Sequence, residues 1–331
     1  MKEPIYILGN EILPGERKTI NFDIAKLYTS TKVEIPVIVE RSLRPGPVVL
    51  ITAGIHGDEI NGVEIVRQLI QKKINRPATG TIICIPVLNV FGFLSMDRNF
   101  PDGRDLNRIF PGTKNGSLAS QFAYQFVNEI LTAVDICLDF HTGGASRFNT
   151  SQIRIDPRNE EDLELAHVFN APFILESKKI DKSYRGTCFK MKKKILLFEG
   201  GKSEFIDKDV AEEGVNGTIR VLEYLGMLSK KIELPENLSR NEQKSITIKS
   251  SRWVRAKYSG MFQAEITHGA FVEKGQVVAA ITDPYGKTNY KVKVANSGYI
   301  ININESPIVY QGDAIFHIST SFIDPNKVSN A

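Results

Sequence analysis

Cysteine is scarce in this 331-residue chain, and Cys84, Cys137 and Cys188 are odd in number and scattered without a paired spacing. A disulfide framework is therefore excluded, and with two of the three inside apolar strand-like runs they read as buried, reduced thiols. Long apolar runs are missing as well: none approaches the roughly 18 residues of a membrane-crossing helix. The opening MKEPIYILGNEILPGE lacks the apolar core of a signal peptide, so the expected location is cytoplasmic, with no membrane partner. An excess of one charge is absent too, since 42 basic residues face 38 acidic ones for a net +4. Charge alone thus points to neither nucleic acid nor an anionic surface as partner, and the basic cluster Lys190 to Lys194 reads as solvated surface. There is no G-x-S-x-G elbow and no P-loop, which removes support for a serine hydrolase or a nucleotide phosphate cradle.

What is present is ordinary globular composition, 42% apolar and 24% charged, in a chain long enough for a main domain and a smaller one. Residues 1–45 are β-rich, with VEIPVIVERS alternating before the turn-like LRPGP. From there to 228, strand-like runs at 47–54, 79–88, 135–141, 172–176 and 194–199 alternate with helical periods near 58–73, 117–132, 159–169 and 208–226. That alternation predicts an α/β fold, a sheet covered by helices on both faces. The polar, aperiodic stretch 229–245 reads as a linker. Residues 246–320 show short β segments between turn signals and no helical period, which predicts a smaller C-terminal all-β barrel-like domain, with 321–331 as a tail.

The chemistry is concentrated at strand ends. In AGIHGDEING, His56 and Glu59 stand where the buried strand PVVLITAG gives way to an amphipathic helix. In an open α/β sheet this is where ligands bind. One imidazole and one carboxylate about one turn apart can converge on a divalent ion, and His141, ending the strand DICLDFH, supplies a third donor if the two strands pair. Two histidines and a glutamate with an open fourth position make a catalytic zinc set, the arrangement of carboxypeptidase A and thermolysin. Taken singly, each has a plainer reading: His56 as a cap, Glu59 as a favourable charge at a helix N-terminus, His141 as a core histidine. The other histidines, His167, His268 and His317, lie in helical or C-terminal β contexts and read as structural or surface. Asp139, two residues before His141 on the same side of its strand, is a candidate partner for that imidazole, or for a nearby arginine.

Two further groups follow. DRNFPDGRDLNRIFPG, residues 97–112, brings Arg98, Arg104, Asn107 and Arg108 after the strand TIICIPVLN; arginine forks bind carboxylates bidentately and stabilise an oxyanion. A Gly/Pro-rich surface loop is the alternative, most of all for Arg104. Glu199, between the apolar run KILLF and two glycines, is placed to act as general base and then general acid in hydrolysis assisted by a metal. Glutamate is a poor turn former, which favours that role. Tyr184 and Arg185, in SYRGTC, are within reach of such a site only if the fold brings them there.

The ordered set His56-Gly57-Asp58-Glu59, Asp105-Leu106-Asn107-Arg108, Asp139-Phe140-His141 and Glu199 resembles the succinylglutamate desuccinylase/aspartoacylase family, relatives of the zinc carboxypeptidases, over residues 45–230. The resemblance implies a zinc carboxypeptidase-like mixed sheet flanked by helices and one Zn2+ per chain, held by His56, Glu59 and His141. It also implies substrate binding or carbonyl polarisation by Asn107 and Arg108, Glu199 as the general base, and a further substrate arginine, Arg98 or in its place Arg104. The implied activity is hydrolysis of the acyl amide of an N-acylated amino acid, with zinc and Arg98 or Arg108 at the oxyanion. A zinc carboxypeptidase acting on peptides would share these residues, and a non-enzymatic binding protein would keep only the fold. The C-terminal region resembles a lipoyl/biotinyl-type barrel without the exposed modified-lysine turn, so no lipoate or biotin is expected; it is placed to edge the active-site mouth or to form a homo-oligomer contact.

Overall fold

The computed structural model describes residues 4–26, 29–229 and 243–327. Its centre is four parallel strands in the order Thr81–Ile85, Val48–Ala53, Ile136–Gly143 and Lys194–Lys202. Antiparallel strands Lys32–Arg41 and Arg17–Lys26 extend one side. The reason VVLITA is an unbroken apolar run is visible in the packing: Val48 and Leu50 enter a core with Phe122, Phe126 and Tyr184, while Val49, Ile51 and Ala53 enter another with Ile65, Leu69 and Ile219. Both faces are covered, so no residue of the strand is left for water. Helices Leu118–Glu129 and Tyr184–Lys190 cover the first face, and Ile60–Gln71, Glu160–Phe169 and Lys208–Tyr224 the second. None of the described helices is long and apolar enough to cross a membrane.

The expected strands and helices between 47 and 226 are present, with ends displaced by a few residues. Additional elements are the short helices Val90–Ser95, Leu106–Arg108 and Tyr184–Lys190, and the strand Arg147–Ile155, which lies antiparallel beside Lys194–Lys202. That strand changes how the C-terminal region sits. Phe173–Glu176 pairs with it in parallel, and Ile246–Arg255 pairs with Phe173–Glu176 in turn, so the twelve-stranded sheet continues through the region expected to be a boundary. Ala314–Ile323 and Gly298–Asn304 follow, and Gly298–Asn304 pairs back onto Arg147–Ile155 through Asn302 opposite Asn149. Five strands thereby close a barrel-like ring that shares one strand with the helix-covered sheet. A second sheet of four strands, Gly260–Ala264, Val277–Thr282, Asn289–Lys293 and Ile308–Val309, completes the C-terminal part. Most of the expected linker, residues 230–242, and the end of the tail, 328–331, lie outside the described residues.

Candidate active site

The cleft opens at the carboxyl ends of the parallel strands, where the sheet geometry brings together residues far apart in the chain. Val48–Ala53 runs into Gly54, whose φ of +62° turns the backbone toward His56. Glu59 occupies the N-cap position of helix Ile60–Gln71, yet its carboxylate does not cap it. Instead Oε1 lies 2.7 Å from His56 Nδ1, and Oε2 lies 2.9 Å from His141 Nδ1 and accepts from the Thr142 N–H at 3.1 Å. The ligand atoms of His56, Glu59 and His141 all fall within 4.8 Å of one another, and all three residues are buried. The Glu59 side chain therefore makes no cap, whereas His141, buried with a partner on each ring nitrogen, meets the description of a core histidine as well as that of a ligand.

The far nitrogen of each ring is also engaged. His141 Nε2 is 2.8 Å from Asp139 Oδ2, and Asp139 is itself held by the Thr52 hydroxyl, which donates to Oδ1 at 2.8 Å. His56 Nε2 is 3.1 Å from Asp105 Oδ1. Carboxylates behind two imidazoles fix ring orientation and raise basicity, as they do behind metal-ligating histidines. Burial opposes charge on all these groups, but their mutual contacts win. Glu59 is held well below the usual carboxylate range by His56 and His141; His141 is raised well above the ordinary histidine value by Asp139 and Glu59, and His56 is raised by Glu59 and Asp105. A buried set rich in anions, with two nitrogens and a carboxylate converging, fits a divalent first-row metal ion.

Gly57 has a steric role in this loop. A Cβ there would meet the Gly92 carbonyl carbon at 1.9 Å and the Phe93 nitrogen at 2.2 Å, both backbone. Gly57→Ala is expected to push His56 and Glu59 off the neighbouring segment, at about 1–3 kcal/mol of stability. A melting curve with a lowered midpoint, alongside reduced metal uptake, would show it; an unchanged Tm would mean the loop yields freely.

Of the arginine-rich segment, Arg98 turns inward, its Nη1 3.1 Å from Glu59 Oε1 and its Nη2 2.9 Å from Asp105 Oδ2. Asp105 also caps the short turn Leu106–Arg108 by accepting from the Asn107 N–H. Asn107 and Arg108 line the cleft, with Asn107 Oδ1 accepting from the Tyr184 N–H at 2.8 Å. Arg104 does not join them. Its guanidinium lies 3.4 Å from Asp102, half exposed and away from the cleft, because the Asp102-Gly103 turn captures it locally. Of the two arginines, Arg98 lines the cleft and Arg104 does not. Tyr184 is fully buried and stacked against Phe110, whereas its neighbour Arg185 faces the cleft.

Glu199 is the cross-strand neighbour of His141 in the parallel register. Its Oε2 accepts from Asn149 Nδ2 at 2.8 Å, and Oε1 is 3.6 Å from Arg154 Nε. The whole cleft measures about 410 Å³. Besides the expected residues it is lined by Arg147, Asn149 and Arg154 from the additional strand, and by Trp253 and Asn302 from the C-terminal strands. Arg185 is half-buried, and burial together with neighbouring Arg154 pulls it down to about 10, which still leaves it charged at neutral pH.

A sequence profile of the succinylglutamate desuccinylase/aspartoacylase catalytic domain matches residues 45–225, more than half of the chain. The chain belongs to the succinylglutamate desuccinylase/aspartoacylase family. Among relatives of this family member is the N-alpha-acetyl-L-2,4-diaminobutyric acid deacetylase of Halomonas elongata, 28% identical over 264 residues, which span 76% of this chain and 75% of the relative. Solved structures share the fold. A succinylglutamate desuccinylase/aspartoacylase from Rhodobacter sphaeroides superposes with a TM-score of 0.78 at 23% identity, covering 94% of this chain and 95% of the other. A product-bound ectoine utilisation protein from Ruegeria pomeroyi gives 0.78 at 24% identity, covering 97% and 100%.

Proposed function

We propose that this family member is a zinc-dependent deacylase that hydrolyses the acyl amide of an N-acylated amino acid or a related small carboxylate. The observation that carries the reading is the convergence of His56, Glu59 and His141 beside Glu199 in one cleft. Zinc held by those three side chains would supply a Lewis acid for the acyl carbonyl and lower the pKa of water toward neutrality. Glu199 takes the proton from the attacking water and returns it to the leaving amine nitrogen. Arg98, fixed against Glu59 and Asp105, stands next to the donor set and stabilises the oxyanion. Asn107 and Arg108 orient the substrate carboxylate, Arg108 by its fork and Asn107 by the amide N–H2 left free when Tyr184 engages its oxygen.

In this reading residues 1–228 are the catalytic part, and 246–320 contribute the far wall through Trp253 and Asn302. A cleft of about 410 Å³ with such a wall suits a small molecule better than an extended peptide, which favours the deacylase over the carboxypeptidase. Retention of every donor together with Glu199 speaks against a binding protein without activity.

The charge of the lining sharpens the substrate class. Arg98, Arg108, Arg147, Arg154, Lys178 and Arg185 face Glu59, Asp139 and Glu199, so cations outnumber carboxylates even before a metal is added. The Halomonas elongata relative is named for a substrate with an amine side chain; this lining disfavours such a group. Release of amine from a panel of N-acyl amino acids, with blocked dipeptides for comparison, tests both points. Acidic side chains are expected to exceed diamino acids by about tenfold or more in kcat/KM. No turnover of any N-acyl amino acid by the zinc-loaded protein would refute the activity, and a preference for diamino acids would refute the charge argument.

A further inference from the structure

Four residues from four different strands form a row, and three of them, Asn149, Asn302 and Trp253, line the cleft. Asn149 stands opposite Asn302, Asn302 opposite His317, and His317 opposite Trp253. At the inner end of the row the side chains are connected: Glu199 Oε2 accepts from Asn149 Nδ2 at 2.8 Å, and Asn149 Oδ1 accepts from Asn302 Nδ2 at 2.8 Å. The direction of this relay is dictated by chemistry. A carboxylate only accepts, so Asn149 must turn its amide N–H2 toward Glu199, which leaves its carbonyl facing Asn302 and requires Asn302 to donate. Without the second bond, the Asn149 carbonyl would lose its buried donor and the Glu199 carboxylate alone would hold the amide.

The amide at 302 is only half used: Nδ2 satisfies the buried Asn149 carbonyl, and the oxygen is left over. Asn302 is 2% exposed, lies among Ile300, Ile301 and Ile303 in a core strand, and its Oδ1 has no partner among the described residues. A buried acceptor without a partner is destabilising, whereas an apolar residue of similar size carries no such penalty. The hydrogen bond that the Asn302 side chain donates satisfies the buried Asn149 carbonyl and, through Asn149, leads to Glu199.

We propose that Asn302 is a positioning residue of the C-terminal barrel, holding the Asn149 amide in the orientation that aims the Glu199 carboxylate. The proposal rests on the reading of Glu199 as the proton-transfer group. It also gives the C-terminal strands a defined part in catalysis, since the barrel ring closes through the Asn149–Asn302 pairing.

The test compares wild type with Asn302→Leu, Asn149→Ala, the double variant and Glu199→Gln, using the N-acyl amino acid that the wild type turns over fastest in the panel above. Asn302→Leu is expected to keep its zinc content and to lose a few degrees in Tm at most, since the Asn149 carbonyl loses its donor as Leu removes an unpartnered oxygen, while kcat falls about tenfold to a hundredfold with KM changed less than about threefold. The double variant is expected to be no worse than Asn149→Ala, because both act on one path. A crystal structure of Asn302→Leu is expected to show the Asn149–Glu199 hydrogen bond broken or the Asn149 amide turned. Unchanged kcat, additive losses in the double variant, or an intact Asn149–Glu199 hydrogen bond in that crystal would each overturn the proposal. If Asn302→Leu does not fold, Asn302→Ser, too short to reach Asn149, carries the same expectations. Full activity of Glu199→Gln would instead refute the reading beneath the proposal, and the crystallographic comparison would still decide the relay.

Discussion

Glu199→Gln is expected to lower kcat by about 10² to 10⁴, the range that positioned general acid–base groups contribute. The substitution keeps shape and volume and leaves an oxygen to accept from Asn149, so the fold and the cleft wall should be undisturbed. Glu199 is not among the three converging donors, and metal content should stay at the wild-type value. KM should move little, because the carboxylate is asked to transfer a proton rather than to bind substrate. That pattern, a fall in kcat with metal and KM retained, separates a proton-transfer group from a ligand or a binding residue. Activity within a few-fold of wild type would remove Glu199 from the reaction. Loss of metal would show that it belongs to the coordination set.

The reasons this site is legible in sequence also mark where legibility ends. His56, Glu59, His141 and Glu199 each follow a short apolar run, and those runs are apolar because helices cover both faces of the parallel strands. A polar residue at such a strand end has few structural uses, so it stands out. Arg147–Ile155 has no such contrast. Asn149, Thr150, Ser151 and Gln152 are buried polar residues in mid-strand, where the ring of C-terminal strands closes. The local pattern therefore reads as loop, and Arg154 and Asn149 are hidden with it. Trp253 and Asn302 reach the cleft through strand pairing alone, and nothing near them in sequence signals it. Arg98 and Arg104 lie in one Gly/Pro-rich segment and differ only in which aspartate takes each, Asp105 at the site or Asp102 in the turn. Tyr184 and Arg185 likewise separate because adjacent helix positions face different ways: the phenol is taken into the aromatic core and the guanidinium is left at the cleft.

Metal analysis of protein purified without added metal is expected to find about one zinc per chain, reduced to trace levels in His56→Ala and in His141→Ala. Each substitution leaves only two of three donors, and the remaining pair keeps a buried carboxylate whose ionised form the lost imidazole had favoured. Two-ligand zinc sites exchange too readily to survive purification, since tight catalytic sites use three protein ligands. The two variants should nevertheless differ in stability. His141 lies within a central strand between Asp139 and Glu59; its removal takes from the fully buried Asp139 the imidazole it pairs with, while Glu59 keeps His56 and Arg98. His56 sits in the loop before the helix and pairs with Asp105, which Arg98 still contacts. Leaving a buried charge without its partner costs about 3–5 kcal/mol, so His141→Ala should show the larger fall in Tm. Equal zinc in wild type and both variants would place the metal elsewhere. Absence of zinc from all three, with no tight uptake on addition, would leave the His56–Glu59–His141 cluster as a buried ion-pair network and make the hydrolytic reading untenable.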